Sequence, residues 1–147
     1  MWKRFMAKFG LCSLGLVAML IACPANADEA MTVFQDLASN WQNAWNSGDA
    51  KKLADLYAPD AIFSSGVLGM LKGRDEIEKA LADQMKRTPK ITLTPIAAHQ
   101  NGNVIYGYWD FTLPEGPSGH GGTVDVKDGD KWHIAMHVSN VTPPKKQ

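Results

Sequence analysis

The sequence predicts an α+β fold in which one curved, mostly antiparallel sheet wraps around N-terminal helices. Two periodicities predict this architecture. Up to Lys86, apolar residues recur at spacings of three and four, which is the period of an amphipathic helix. From Ile91 onward they alternate with polar residues, which is the period of a strand. Helices followed by a run of strands are typical of an α+β domain.

The first half of the chain is predicted to form three helices and one strand. Asp49 can cap a short second helix that includes Tyr57. Pro59 cannot continue that helix, and residues 61–63 then form a strand. A helical period returns over residues 74–86, with acidic residues in the first turn, where the helix dipole favours them. The apolar face of the first helix consists of Phe34, Leu37, Trp41, Ala44 and Trp45.

The second half is predicted to form four strands and one long loop. Pro95 interrupts the first of these strands, so we expect an edge position or a bulge there. The sequence Asn101-Gly102-Asn103 is a hairpin turn signal between the first two strands. Residues 114–122 are rich in Gly and Pro without periodicity, which predicts a loop. The four strands cover residues 91–98, 104–113, 123–127 and 131–141.

Several short segments resemble the nuclear transport factor 2-like superfamily, and within it the SnoaL-like (polyketide cyclase-like) and ketosteroid isomerase-like proteins. The resemblance covers residues 28–143. Its matching features are the Gly48-Asp49 break, residues 53–58, Asp60-Ala61, Gly73-Arg74, the turn at residues 129–132, and His137 with Ser139 in the last strand. It implies a cone-shaped barrel with a cavity open at one end, the natural place for a ligand. It does not imply one activity, because this superfamily contains enzymes, binding modules and assembly domains.

Residues 1–27 are predicted to be an export signal rather than part of the fold. A basic start precedes an apolar run over residues 11–23, which is shorter than the roughly 20 residues that cross a bilayer. Ala25-Asn26-Ala27 is a small-x-small cleavage site. Alternatively, residues 20–23 resemble a lipoprotein box, which would leave Cys23 lipidated and the protein tethered to a membrane. Both alternatives predict an exported protein, periplasmic or secreted.

Without this leader, the composition excludes several classes of function. The leader holds three of the 15 basic residues and none of the 15 acidic ones, so residues 28–147 carry a net charge of −3. Scattered lysines on a weakly acidic chain do not predict a nucleic-acid partner. Cys12 and Cys23 both lie in the leader, so the mature chain has no disulfide or thiolate. Residues 28–143 are predicted to form one domain, followed by a polar tail over residues 144–147.

Neither a metal nor a cofactor is predicted. His133 and His137 are four residues apart, a spacing that suits metal chelation on a helix. Their segment alternates as a strand, however, which would place them about 13 Å apart at ~3.3 Å per residue, too far to share a metal. The same alternation places them on one face. No phosphate loop, nucleotide fingerprint or Ser-His-Asp motif occurs.

The candidate ligand-binding residues are aromatic, apart from one histidine. They come from the elements that would surround the cavity implied by the resemblance, and filling the core is the alternative role for each of them. In strand 104–113, alternation places Trp109 and Asp110 on opposite faces, and we expect Trp109 to face inward. The predicted set is Trp41, Trp45, Tyr57, Phe63, Trp109 and His137.

The candidate catalytic residues are Asp110, His120 and His137. An acid that faced the cavity, Asp110 or Asp125, would have a raised pKa and could serve as a general base. The resemblance to ketosteroid isomerases implies an aspartate base and a tyrosine donor. A gapless comparison places Ser65 at the position of the base and Trp41 at that of the tyrosine, so we do not expect isomerase activity.

The sequence therefore predicts an exported protein that binds a small apolar or aromatic molecule. One alternative is a cyclase, isomerase or dehydratase that uses an acid–base residue in the same cavity. Another is an interaction module without a ligand. The resemblance also implies a homodimer through the outer face of the sheet, where Tyr106 with Tyr108, or Trp132 with Met136, would be exposed.

Overall fold

The computed structural model describes residues 25–143 and the side chains of residues 28–143. The strands form one open, curved sheet with the order β2-β1-β6-β5-β4-β3. All neighbouring strands are antiparallel except β1 and β6, which are parallel. The predicted α+β architecture is confirmed. Its elements are α1 (Ala25–Ser47), α2 (Ala50–Ala54), β1 (Tyr57–Ser65), β2 (Gly69–Lys72), α3 (Arg74–Arg87), β3 (Thr92–Asn101), β4 (Val104–Thr112), β5 (Gly119–Asp128) and β6 (Lys131–Val141).

The strongly periodic segments form the elements that their patterns predict. The predicted apolar face of α1 packs into the core with Trp41 and Trp45 buried, and α3 buries Ile77, Leu81 and Met85. Pro95 lies in the edge strand β3, next to a register shift in its pairing with β4. Both of the alternatives predicted for this proline are therefore confirmed.

Three predicted boundaries are wrong. Tyr57 lies in β1 rather than in the second helix, because its backbone pairs with Ile134 of β6. The short strand β2, which pairs with residues 62–65 of β1, was not predicted between the strand at residues 61–63 and the helix at residues 74–86. β5 begins at Gly119 rather than at Thr123, because residues 119–122 pair with β4 on one side and β6 on the other. Pairing on both sides outweighs the low strand propensity of glycine.

Helix α1 lies across the concave face of the sheet and is joined to β3 through amide side chains. The Asn46 amide accepts a hydrogen bond from Ile91 N at 2.9 Å and donates one to Ile91 O at 3.0 Å. Gln42 Oε1 accepts a hydrogen bond from Leu93 N at 2.7 Å. The main core lies between α1 and the inner faces of β1, β4 and β6.

A bulge in β6 decides which side chains of that strand face inward. Val124 of β5 pairs with Met136 and the next residue, Asp125, pairs with Ile134, so Ala135 is the extra residue. The inserted residue breaks the simple alternation, and both Ile134 and His137 are buried. The prediction that His133 shares a face with His137 is therefore wrong: His133 pairs with Val126, on the outer side of the sheet.

The leader and the tail fall largely outside the described residues. This applies to residues 1–24 of the predicted leader, including Cys23, and to residues 144–147, while α1 already begins at Ala25. Among the described residues, no helix has both the length and the apolar character needed to cross a membrane.

Candidate ligand-binding cavity

A cavity of about 110 Å³ opens between the helices and the concave face of the sheet. Helices α1 and α3 form one wall, and β1, β4 and β6 form the other. Among the described residues, no Lys, Arg, Asp or Glu contributes to either wall. The lining residues are Trp41, Trp45, Phe63, Ser65, Gly66, Val67, Leu68, Leu81, Gln84, Thr88, Ile91, Trp109, Phe111, Leu113, His137, Ser139, Asn140 and Val141.

The aromatic wall is held in place by stacking and by one indole hydrogen bond to the backbone. The rings of Trp41 and Trp45 stack with centroids 4.9 Å apart and 19° between their planes. Trp45 Nε1 donates to Thr88 O at 2.8 Å, which joins α1 to the end of α3. Aromatic pairs in such geometry are stabilising beyond the area that they bury, so these two rings form a stiff side of the cavity.

His137 lies deep in the cavity among three aromatic rings. The ring centroids of Phe63, Trp109 and Trp41 lie 4.5, 5.2 and 5.8 Å from that of His137. Only 2% of its surface is exposed. Burial lowers the pKa of His137 to about 3, because the apolar surroundings disfavour the charged imidazolium. The imidazole is therefore neutral at neutral pH.

A chain of two buried hydrogen bonds fixes the orientation and the tautomer of His137. Trp41 Nε1 donates to the Tyr57 hydroxyl oxygen at 2.9 Å, and that hydroxyl lies 2.8 Å from His137 Nδ1. Since Tyr57 already accepts from Trp41, its own proton is satisfied when it is donated to Nδ1. The imidazole proton then resides on Nε2. That nitrogen has no hydrogen-bond partner within residues 25–143, and His137 contributes to the cavity wall.

Gln84 lies in the cavity wall, but its unpaired side-chain oxygen is sealed from the cavity. Its Nε2 donates to Thr88 Oγ1 at 3.3 Å, and its Oε1 is buried without a partner among the described residues. Buried amide oxygens are normally hydrogen-bonded. Gln84 was not predicted as a site residue. It lies three residues after the buried Leu81 on the inner side of α3, and that helical spacing is the signal that could have identified it.

Two glycines of β5 make room for the aromatic rings of β4. A Cβ on Gly121 would lie 2.4 Å from Trp109 Cη2 and 2.6 Å from Val138 O, and a Cβ on Gly119 would lie 2.5 Å from the Phe111 ring. At residues 119 and 121 the inner face of β5 therefore carries no side chain, and the two rings lie against its backbone. This role was missed because the glycines were assigned to a loop.

Five of the six predicted ligand-binding residues line the cavity: Trp41, Trp45, Phe63, Trp109 and His137. Tyr57 does not. It is fully buried and contacts His137 from behind, and burial raises the pKa of its hydroxyl well above the ordinary value. Ser65, at the expected isomerase-base position, also lines the cavity, and its hydroxyl accepts a hydrogen bond from Leu68 N at 2.9 Å.

The other two catalytic candidates lie outside the cavity. Asp110 and His120 pair with each other in register across β4 and β5 and are both exposed on the outer face. Inward-facing Trp109 and Gly121 alternate with them, as strand geometry requires. The structure therefore does not bring Asp110, His120 and His137 together.

Asp125 faces inward but is sealed from the cavity. It is 0% exposed, and its Oδ2 accepts a hydrogen bond from Thr123 Oγ1 at 3.0 Å. Its Oδ1 has no partner within residues 25–143. Burial raises the pKa of Asp125 to about 7, and the Thr123 hydroxyl opposes that shift. The pKa of this carboxyl therefore lies near neutral pH, but the group has no access to a molecule in the cavity.

Comparison with known proteins agrees with this fold. A family model described as a SnoaL-like domain matches residues 38–136. No curated protein matches the sequence. The resemblance to the nuclear transport factor 2-like superfamily is confirmed by this match and by solved structures of the same fold.

Three solved structures illustrate the likeness. A ketosteroid isomerase-like protein from Erwinia carotovora atroseptica is 14% identical with a TM-score of 0.67, and the match covers 80% of this chain and 99% of that chain. An NTF2-like protein from Pseudomonas putida is 14% identical with a TM-score of 0.65, covering 78% and 87%. A protein with a cystatin-like fold from Nostoc punctiforme is 16% identical with a TM-score of 0.65, covering 76% and 90%. At such identities the likeness is one of fold alone.

Proposed function

The chain belongs to the SnoaL-like domain family, and from this premise we propose that it binds a small apolar or aromatic molecule in the cavity. One observation carries the proposal: a largely apolar cavity with aromatic rings in its wall, which is also lined by the neutral, buried imidazole of His137. Concave apolar sites with a few polar groups that fix orientation are the usual form of small-molecule sites.

Binding is favoured over acid–base catalysis. A general acid or base works best when its pKa lies near the operating pH, and the pKa of His137 is lowered to about 3. Asp125 has a suitable pKa but is sealed from the cavity. Asp110 and His120 lie on the outer face of the sheet. These positions support a binding protein rather than a cyclase, isomerase or dehydratase.

Indole fluorescence tests the proposal, because Trp41, Trp45 and Trp109 belong to the cavity wall. The panel contains a steroid, a fatty acid, a polycyclic quinone and single-ring aromatic compounds. We expect a saturable change with at least one class. Ser139→Leu, which adds bulk on the inner face, should weaken ligand binding at least tenfold. Val138→Leu, which introduces the same side chain on the exposed outer face, should leave ligand binding unchanged.

A flat response across the whole panel would contradict the proposal. Equal weakening in both leucine variants would also contradict it, because a ligand bound on the outer face would then be the better explanation. The denaturation midpoints of both variants are measured in parallel, so that a loss of binding is compared only between folded proteins.

We also propose that the protein is a homodimer through the outer face of its sheet. Tyr106 and Tyr108 of β4 are 50% and 49% exposed, and Met136 and Val138 of β6 are exposed beside them across β5. Trp132, by contrast, packs partly against the core. Exposed apolar patches of this kind mark association sites. A second copy would bury the same patch on both partners.

Sedimentation velocity over a concentration series tests the dimer. Tyr108→Lys should raise the dissociation constant at least tenfold, whereas Met70→Lys, an exposed apolar residue on the distant strand β2, should not. A monomer at all concentrations, or equal effects of both variants, would contradict the proposed interface.

Export remains part of the proposal and rests on the sequence of residues 1–27. Expression of the full sequence in a bacterium, followed by the intact mass of the mature protein, tests it. A mass that begins at Asp28 supports cleavage after Ala27. A lipid-modified mass that begins at Cys23 would support the tethered alternative, and an unprocessed chain would contradict export.

A further inference from the structure

We propose that the ligand is an amphipathic acid, an inference that rests on the proposed function. Its apolar tail occupies the cavity, and its anionic head, such as a carboxylate, lies in a neighbouring groove beside Arg87 and Lys90. This basic groove has a volume of about 560 Å³ and lies between the segment that follows α3 and the segment that follows β4.

The cavity and the basic groove adjoin each other. Thr88 and Leu113 line both of them, and both residues are half-buried. The cavity is open at its mouth, where Val67 is 63% exposed and Val141 is 40% exposed. A molecule that enters the cavity can therefore extend over Thr88 and Leu113 into the groove.

The cavity encloses only one part of such a molecule. Its volume is about 110 Å³, whereas pockets that enclose a whole drug-sized ligand occupy roughly 300–1,000 Å³. A longer molecule that inserts one end therefore keeps the rest of its length outside the cavity. The basic groove offers that part a surface with a different chemical character.

The basic groove carries a net positive charge. Arg87 and Lys90 line it together with one acid, Glu115, and neither base forms a salt bridge among the described residues. Lys90 Nζ donates to Asn46 O at 2.9 Å, which leaves two of its three N–H groups for a ligand. The C-terminal end of α3 adds about half a negative charge nearby, and the balance stays positive.

The distribution of charge sets the orientation of the ligand. The cavity wall has no charged side chain within the described part of the chain, and a carboxylate buried there without a cationic partner would be strongly unfavourable. In the open groove the carboxylate keeps part of its hydration and contacts the two bases. Arg87 precedes Thr88 and Lys90 follows it by two residues, so both Cα atoms lie within about 8 Å of the Thr88 Cα.

Calorimetric titration of the purified protein at neutral pH, where a carboxylate is ionised, tests the inference. The probes are octanoate, 1-octanol and octylammonium, which differ in the charge of the head, and butanoate, which has a shorter tail. We expect octanoate to bind about threefold to tenfold more tightly than 1-octanol, and octylammonium to bind more weakly than both. Butanoate should bind about tenfold more weakly than octanoate, because it buries fewer methylene groups.

Substitutions assign the head to the groove and the tail to the cavity. Arg87→Gln combined with Lys90→Gln should abolish the advantage of octanoate over 1-octanol. Lys131→Gln, at the opposite end of β6 from the cavity mouth, should retain that advantage. Glu115→Gln should strengthen octanoate binding about twofold, because it removes a like charge. Ser139→Leu should weaken octanoate and 1-octanol alike.

The outcomes separate this inference from the proposed function. If 1-octanol or octylammonium bound as tightly as octanoate, the inference would be overturned and small-molecule binding would stand. An advantage of octanoate that survived the double substitution would overturn the assigned position of the head. On the native protein, salt should reduce that advantage, a test that needs no variant to fold. Failure of every probe here and of every compound in the fluorescence panel would overturn both.

Discussion

The hydroxyl oxygen of Tyr57 lies 2.8 Å from Nδ1 of His137, although 80 residues separate them in the chain. Tyr57 begins β1 and His137 lies in β6, and the parallel pairing of these strands brings the two side chains together behind the cavity. With Trp41 donating to the same hydroxyl, three elements converge on one buried oxygen. This arrangement positions the only imidazole that lines the cavity among the described residues.

Tyr57→Phe should destabilise the protein by about 1–3 kcal/mol, because it leaves both Trp41 Nε1 and His137 Nδ1 buried without a partner. Tyr108→Phe is the matched control, since that hydroxyl is on the exposed outer face. Urea denaturation monitored by circular dichroism measures both. Equal midpoints for the two variants would show that the buried hydroxyl does not stabilise the fold.

Gly121→Ala should destabilise the fold by about 1–3 kcal/mol and reduce the cavity, because the new methyl group would overlap Trp109 Cη2 at 2.4 Å. Val138 O, at 2.6 Å, blocks movement away from the ring. Gly66→Ala, at the cavity mouth, has no atom closer than 4.0 Å and should be nearly neutral. Thermal denaturation with tryptophan fluorescence measures both effects. An unchanged Trp109 environment in Gly121→Ala would contradict the steric account.

The parts of the fold that follow a regular period were predictable from the sequence. Leu81 and Met85 follow a helical spacing, and only one orientation of that helix buries both of them. Trp109 alternates with Asp110, and only one orientation of that strand buries the apolar residue. Of the five aromatic residues that line the cavity within the described chain, four were therefore predicted, and Phe111 was not. The predicted four include Trp109, whose inward orientation is confirmed.

The parts that depend on irregular backbone were not predictable. The extra residue Ala135 forms a bulge that changes which side chains of β6 face inward, and no local sequence pattern indicates that bulge. Gly119 and Gly121 were assigned to a loop because glycine disfavours strands, whereas the rings that cover them come from another strand. The spacing of Gln84 from Leu81 indicates the buried side of α3, but that this side meets a cavity is a tertiary property.

Arg74 supports the start of β1 from outside the cavity, and Arg74→Met should destabilise the protein by about 1–3 kcal/mol. Its Nε donates to Tyr57 O at 2.9 Å, and its Nη2 donates to the same oxygen. Because the register of β1 against β6 is irregular between Tyr57 and Ile62, the Tyr57 carbonyl depends on the Arg74 guanidinium for hydrogen bonding. Arg74→Lys should recover only part of the loss, because lysine lacks the planar fork.

Chemical denaturation of both Arg74 variants beside Arg87→Met tests this support. Arg87 is exposed near the end of α3, so its loss should change the free energy of unfolding little. If Arg74→Met were as stable as Arg87→Met, the interaction with the Tyr57 carbonyl would not contribute to stability.

Asp125 and His137 should give the protein a flat stability profile between about pH 4 and pH 6.5. Burial raises the pKa of Asp125 from 3.8 to about 7, so its contribution is full below pH 3.8 and is lost as the pH rises through 7. Burial lowers the pKa of His137 from 6.5 to about 3, so its contribution is full above pH 6.5 and is lost as the pH falls through 3. Between about pH 4 and pH 6.5, the two pKa shifts therefore change the free energy of unfolding with pH in opposite directions, and the two changes offset each other.

Asp125→Asn should reveal the pH dependence of stability that the lowered pKa of His137 causes by itself. The unfolded chain takes up a proton on His137 below pH 6.5 while the folded chain does not, so the variant should lose roughly 1 kcal/mol of stability per pH unit on acidification. The native protein and Asp130→Asn, a change in the exposed β5–β6 turn, should both stay flat over that range. Urea midpoints at half-unit pH steps measure all three. A flat profile for Asp125→Asn would show that the buried pair does not control the pH dependence of the fold.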